Sequence, residues 1–485
     1  PALENPQFEG LNQLEHVGDE WLAECAALAN PSFSSLENLA TVTARWMFQC
    51  PALKNPQFEN LNKLEHVGDE WLAECAALVD PDFGDLKKLE SVGVRWLFRC
   101  PRLQTPQFTG VEKLIEVGGE WLAECQTLIN PDFAGLKSLK TVDERWMFQC
   151  PALETPQFEG LNQLEHVGDE WLAGCAALVN PSFLGLKKLA TVAACWMFQC
   201  PALENPQFTG LETLHAIGSF WMAMCETLVS PQFVGLMQLA TVGACWMFKC
   251  AQLQTPNFTG LNWLVEVGRE WLAECNKLVS PNFSGLKILK TVKERWMFKC
   301  PALENPQFEG LNQLEHVGDE WLAECNAIVA PNFEGLMQLK EVGNDWMHVC
   351  HALISPNFTG LPQLQSVGQF WLAGCKQLKN PVFQGMDQLR TVDKWWMTMC
   401  PKLGNPRFIN LPGFTDVGEG WMLLCDELQQ IDFSDCPNLA RELSKQRHVS
   451  ITPNACLIQV SPTQNWRELA FSSTSTSTST QLPSA

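Results

Sequence analysis

The chain contains no tyrosine, although its 485 residues include 20 tryptophans and 28 phenylalanines. Independent positions would not divide the aromatics so unevenly, whereas repeated copying of one Tyr-free ancestor would. Basic residues are scarce, with 33 Lys and Arg against 54 Asp and Glu and a formal net charge of −21. That deficit argues against nucleic acid as the main partner, because phosphate contacts need Lys and Arg. No apolar run approaches the roughly 20 residues that cross a bilayer. There is no basic n-region or signal peptide, and residue 1 is Pro, so an upstream segment is expected to be missing. The cysteines form no C-x2-C pair of the kind metal sites use. G-x-S-x-G, H-E-x-x-H and a Gly-rich phosphate loop are also absent. The sequence therefore offers no catalytic constellation, no metal site and no cofactor site.

What the sequence does have is a period. Cysteine stands at 25, 50, 75 and onward to 425, every 25 residues, and residues 1–25 recur unchanged at 301–325. With slots numbered 1 to 25 in each repeat, slot 3 is Leu, slot 6 Pro, slot 8 Phe, slots 11 and 14 Leu, slot 17 Val and slot 21 Trp, with few exceptions. Seventeen repeats fill 1–425. A degenerate eighteenth and a C-terminal cap are expected over 426–470, and a disordered Ser/Thr-rich tail over 471–485. A 25-residue repeat cannot bury its own apolar side, but stacked repeats bury a continuous one, so the expected architecture is a solenoid. The alternation in "LENPQF" suits a short strand at slots 3–8. "DEWLAECAAL" places Trp21, Leu22, Cys25 and Leu28 on one helical face.

The frame Leu-x-x-Pro-x-Phe-x-x-Leu-x-x-Leu-x-x-Val-Gly-x-x-Trp-Leu-x-x-Cys resembles a leucine-rich repeat of the cysteine-containing, BspA-like type. The resemblance covers roughly 1–440. It implies an α/β solenoid: a right-handed coil of about 18 turns, with short parallel strands on one face and short helices or turns on the other. Proline at slot 6 departs from the pattern, since Pro cannot donate to a central ladder. The alternative takes Asn5-Pro6 as a helix N-cap and first turn, giving an all-helical solenoid of short helices.

Solvent-facing slots are where function is expected. Slot 20 alternates Glu20, Arg45, Glu70, Arg95, Glu120, Arg145 and Glu170, an ion ladder that fixes register because a slip of one turn places like charges together. The alternation makes the duplicated module 50 residues. It breaks at Cys195, Phe220 and Cys245, and again at Asp345, Phe370 and Trp395. Phe220, Phe370 and Trp395 are candidate partner contacts. Slots 4, 5 and 7 are monotonous in early repeats and varied later, which adds Ile354, Asn357 and Arg407. Charge also varies: residues 1–50 carry seven acids and one base, 251–300 four acids and seven bases. Histidines at slot 16 (His16, His66, His166, His316) sit at least two turns apart, too far to share a metal, and read as inherited surface residues. The slot-25 cysteines read as buried free thiols. Asn257, Asn282 and Asn357 begin N-glycosylation sequons.

The resulting expectation is a non-enzymatic scaffold that binds another protein along a long face. A surface adhesin or antigen with the array as stalk is the alternative, and an enzyme whose catalytic domain lies elsewhere is a third. Unpaired thiols lean the compartment toward the reducing cell interior.

Overall fold

The computed structural model describes residues 3–432, 435–444 and 457–459. The expected tail at 471–485, and most of the expected cap, lie outside the described residues. The chain divides into two compact units: residues 1–300 with 309–312, and residues 301–308 with 313–485.

In each unit the backbone is a parallel β-solenoid with a 25-residue turn. In the first unit, two-residue strands recur from His16–Val17 to Thr291–Val292, each paired in parallel with the next at the same slots. In the second, the strands His316–Val317, Glu341–Val342, Ser366–Val367, Thr391–Val392 and Asp416–Val417 do the same. A second ladder there joins Val382–Phe383, Arg407–Phe408 and Gln430–Asp432, with Leu457–Gln459 antiparallel to the last.

The continuous strand is therefore at slots 16–17, not at slots 3–8. Slot 7 forms isolated parallel bridges in most turns, such as Ser32 with Gln57 and Asn257 with Asn282. The proline explains the difference. Slot 7 donates to the slot 6 carbonyl of the preceding turn, as Asp132 N does to Pro106 O at 2.9 Å. Proline thus serves as an acceptor, and its missing N–H costs no bond but keeps this ladder one residue wide.

The helix expected from slot 19 to slot 3 of the next repeat, as over residues 19–28, does not form, and with it falls the all-helical alternative. Pro437–Ser444 is the sole α-helix among the described residues. Slots 20, 22 and 24 instead have φ near +60°, as in Glu120 (61°), Leu122 (57°) and Glu124 (58°). Left-handed backbone costs an L-residue roughly 1–2 kcal/mol. Here each such N–H reaches another turn. Glu120 N donates to Glu144 O and Glu124 N to Phe148 O, both at 2.7 Å, while Leu122 N donates backward to Trp96 O at 3.1 Å. Bonds between turns replace the bonds a helix would make within itself. Trp, Leu and Cys face inward under either backbone, which is why the apolar spacing could not separate the two.

The rest of the turn is a series of corners closed by i→i+3 bonds, for example Leu36 N to Phe33 O and Leu39 N to Leu36 O. That is the physical meaning of the three-residue spacing of slots 8, 11 and 14: each corner returns an apolar side chain to the interior. Those chains are almost wholly buried from turn to turn. In the first unit the slot-21 indoles stack at 5.1–5.5 Å. The slot-8 rings stack beside them and meet them edge-on, as Phe33 meets Trp46 at 5.3 Å and 73°. The indole N–H groups of Trp46 through Trp271 at this slot have no hydrogen-bond partner, so ring packing holds the column.

Candidate interaction surfaces

With the interior so uniform, differences between turns appear on the outside. The slot-20 side chains point outward, and successive turns bring these groups into a column. Arg45 donates from Nη1 to Glu20 at 2.9 Å and from Nε to Glu70 at 2.8 Å. Arg95 bridges Glu70 (3.0 Å) and Glu120 (2.5 Å), and Arg145 bridges Glu120 (3.1 Å) and Glu170 (2.5 Å). Arg295 meets Glu270 at 3.0 Å. Paired guanidinium groups hold the carboxyls of Glu70 and Glu120 below the usual range, against burial that pushes them up. Each guanidinium also lies over a slot-23 phenylalanine, as Arg95 does over Phe98 at 5.3 Å.

At the first break, the Cys245 thiol takes the arginine's place and donates to Glu270 at 3.1 Å. Phe220 is half-buried and meets Phe198 edge-on at 5.8 Å. At the second break, in the second unit, Asp345 stands where earlier modules have Arg. Burial pushes its carboxyl up to about 6, with Glu320 and Asp319 adding repulsion. His348 Nδ1 lies 3.2 Å away, but burial depresses its imidazole. Both shifts oppose an ion pair between the two groups. Phe370 then stacks on Trp395 at 6.2 Å and 10°, both half-buried. Gly420 occupies slot 20 of the next turn at φ +75°, and a Cβ there would sit 2.3 Å from the Trp395 ring. The glycine makes room for the indole.

Ile354, Asn357 and Arg407 are exposed on the other ladder. Asn357 bridges to Asn332 and Val382, and Val382 pairs with Arg407, so Asn357 and Arg407 share one row two turns apart. Asn357 Nδ2 donates to Asn332 Oδ1 at 3.2 Å, and Thr359 Oγ1 donates to Asn357 Oδ1 at 2.9 Å. Phe370 and Trp395 thus form one group and Asn357 and Arg407 another, at different slots of the turn. Phe220 belongs to the first unit.

The slot-16 histidines face out from the strands. His66 Nδ1 lies 2.8 Å from Ser91 Oγ and His166 Nδ1 2.7 Å from Thr191 Oγ1. Below them, Asp19 and Asp69 accept from backbone N–H groups of the next turn, which lowers the Asp19 carboxyl together with a Thr43 bond. A shallow depression runs over these groups. Its aspartates, Asp19 and Asp69, are engaged in joining turns.

The slot-25 cysteines are free, and nearly all are buried. From Cys50 to Cys300 each thiol donates to the slot-22 carbonyl of the preceding turn, as Cys125 Sγ does to Leu97 O at 3.2 Å. Burial pushes Cys125, Cys175 and Cys250 up to about 12. No group of three His, Cys, Asp or Glu among the described residues is arranged to hold a metal ion. No helix among them is long and apolar enough to cross a membrane.

One group escaped the sequence reading. Val234, Met237 and Trp263 are 62%, 56% and 63% exposed, the most exposed large apolar side chains among the described residues. They occupy slots 9, 12 and 13, at a corner that is polar in most other turns. The signal was present: Trp263 is one of three tryptophans outside slot 21.

No protein-family model matches the sequence, and no curated protein does. The neighbours found among solved structures are leucine-rich repeat proteins. A leucine-rich repeat protein from Bacteroides ovatus is 15% identical over 80% of this chain and 89% of its own, with a TM-score of 0.48. A leucine rich cell surface protein from Faecalibacterium prausnitzii is 13% identical over 81% and 83%, with a TM-score of 0.33. A leucine-rich repeat protein from Eubacterium ventriosum is 11% identical over 84% and 89%, with a TM-score of 0.28.

Proposed function

We propose that this chain is a non-enzymatic repeat scaffold that binds another protein through its outward columns. The observation that carries this reading is the contrast between interior and surface at slot 20. The buried slots repeat almost unchanged, while slot 20 carries paired charges in the first unit and the stacked rings of Phe370 and Trp395 in the second. Half-buried, rigid aromatic rings on an ordered backbone are the anchors that protein interfaces favour. The adhesin reading, with the array as a stalk, is kept alive by the exact copying of residues 1–25 at 301–325, which lengthens the array without altering a face.

The test is selection of folded protein fragments from a displayed library against the full chain and against the double variant Phe370→Arg, Trp395→Glu, which puts charges back into the column. Fragments that bind the parent at least ten-fold more tightly are expected. A selection that returns equal binders to both would remove this column from the scaffold's contacts.

A further inference from the structure

The exposed apolar corner of the first unit lies away from the slot-20 column, and it differs in kind from every other corner of that unit. Slot 13 of one turn sits over slot 13 of the turn before. Lys63 Nζ donates to Asn38 Oδ1 and Lys188 Nζ to Gln163 Oε1, both at 2.6 Å. By the same stacking, Trp263 lies over Gln238, the residue next to Met237. Gly260, in the loop leading to Trp263, rests on Phe233 and Val234, whose atoms a Cβ there would meet at 3.4–3.8 Å. Ile288 continues slot 13 one turn later and is half-buried. Val234, Met237, Trp263 and Ile288 therefore form an apolar strip on one corner of three successive turns. At the same slots other turns present Asn12, Gln13, Lys87, Lys88, Lys187 and Lys188.

The turns that carry Trp263 and Ile288 are also the basic ones. Residues 251–300 carry seven bases and four acids, in a chain whose net charge is −21. Lys287 and Lys290 are exposed at slots 12 and 15, beside Ile288. An aromatic–methionine centre with a lysine rim fits an acidic segment that inserts an apolar anchor, since the rim steers and the centre supplies the affinity. It does not fit nucleic acid, which would need cations along a phosphate track rather than an apolar centre.

We infer that the corner formed by Val234, Met237, Trp263 and Ile288 is a docking site for an acidic protein segment carrying a large apolar side chain. The inference rests on the scaffold reading but uses a surface separate from Phe370 and Trp395. The geometry assigns Trp263 as the central contact and Lys287 as a rim contact.

The test is a random dodecapeptide display selection on the full chain, with fluorescence polarisation on the recovered peptides. Peptides rich in Asp and Glu around a Trp, Phe, Leu or Met are expected. Trp263→Gln places at slot 13 the residue already found at Gln13 and Gln163, so the fold should tolerate it. It should weaken binding by about 30-fold. Lys287→Glu should weaken it about five-fold, and 0.5 M salt should do likewise. Trp395→Gln should leave it within two-fold. Recovery of no peptide, recovery of basic or uncharged peptides, or an affinity within three-fold on Trp263→Gln would each overturn the assignment. So would a parent protein that sediments as a dimer and becomes monomeric on Trp263→Gln, since a second copy would then cover the strip. Peptides lost with Trp395→Gln but not with Trp263→Gln would overturn this site and leave the scaffold reading intact.

Discussion

Replacement of Gln149 by glycine and, separately, by alanine decides between the left-handed ribbon and the helix that the apolar spacing suggests. Gln149 is exposed at slot 24 with φ +49°, and its N–H donates to Ala173 O at 2.8 Å. The same slot one turn on is already glycine, Gly174, at φ +71°. In a helix, glycine is about 1 kcal/mol worse than alanine. At positive φ the order reverses, because alanine must hold its Cβ against the following carbonyl while glycine has none. Glycine's larger unfolded-state entropy takes back part of that gain, leaving a glycine advantage of about 1 kcal/mol. The two backbones thus differ by about 2 kcal/mol in the glycine-minus-alanine comparison, roughly 30-fold in a local opening constant. Comparing the two variants with each other cancels the loss of the glutamine side chain. Native-state amide exchange at Met147 and Gln149 is the assay, since each donates to a different turn and a repeat array need not unfold in one step. Slower exchange in the glycine variant is expected. Faster exchange, by about five-fold or more, would refute the ribbon and restore the helix.

The remaining predictions concern charge and thiols. With a thiol pushed up to about 12, Cys125, Cys175 and Cys250 are about 10⁻⁴ thiolate at pH 8, so alkylation should be slower than for a free cysteine by about a thousand-fold or more until the chain unfolds. Their folded values lie above the unfolded one. The stability they contribute is therefore fully present below about pH 8.5 and declines as pH rises toward 12; urea midpoints that stay flat from pH 9 to 11 would contradict this. Glu120→Gln should cost about 1 kcal/mol after solvent screening, as it loses contacts to Arg95 and Arg145, and the loss should shrink in 1 M salt. Because the Glu120 carboxyl is lowered, its contribution is present above the ordinary carboxylate value and fades as pH falls through the lowered one. Asp345 runs the other way: its stability is greatest below about pH 4 and is lost as pH rises through about 6, so Asp345→Asn should raise the pH 8 midpoint by about 1–2 kcal/mol and leave that at pH 4 nearly unchanged.

The 25-residue period alone determined that turns stack, that Trp, Phe, Leu and Cys lie inside, and that Glu and Arg of slot 20 meet in alternation. Each of these follows from identical residues recurring at one spacing, whatever backbone carries them. Backbone conformation was decided elsewhere. Trp21, Leu22, Cys25 and Leu28 fit one face of a helix as well as they fit the inner side of a ribbon with alternating φ. A chain on its own favours the helix, because its hydrogen bonds are local and no left-handed penalty arises. Only stacked turns supply the outside carbonyls, such as Ala173 O for Gln149 N, that let slots 20, 22 and 24 adopt positive φ. The proline at slot 6 was likewise legible as a defect in a strand, but its harmlessness depends on which neighbour needs its carbonyl. Trp263 was visible as a letter out of place. That it stands over Gln238, next to Met237, is a property of the stacking, since positions 25 residues apart become neighbours only once one turn rests on another.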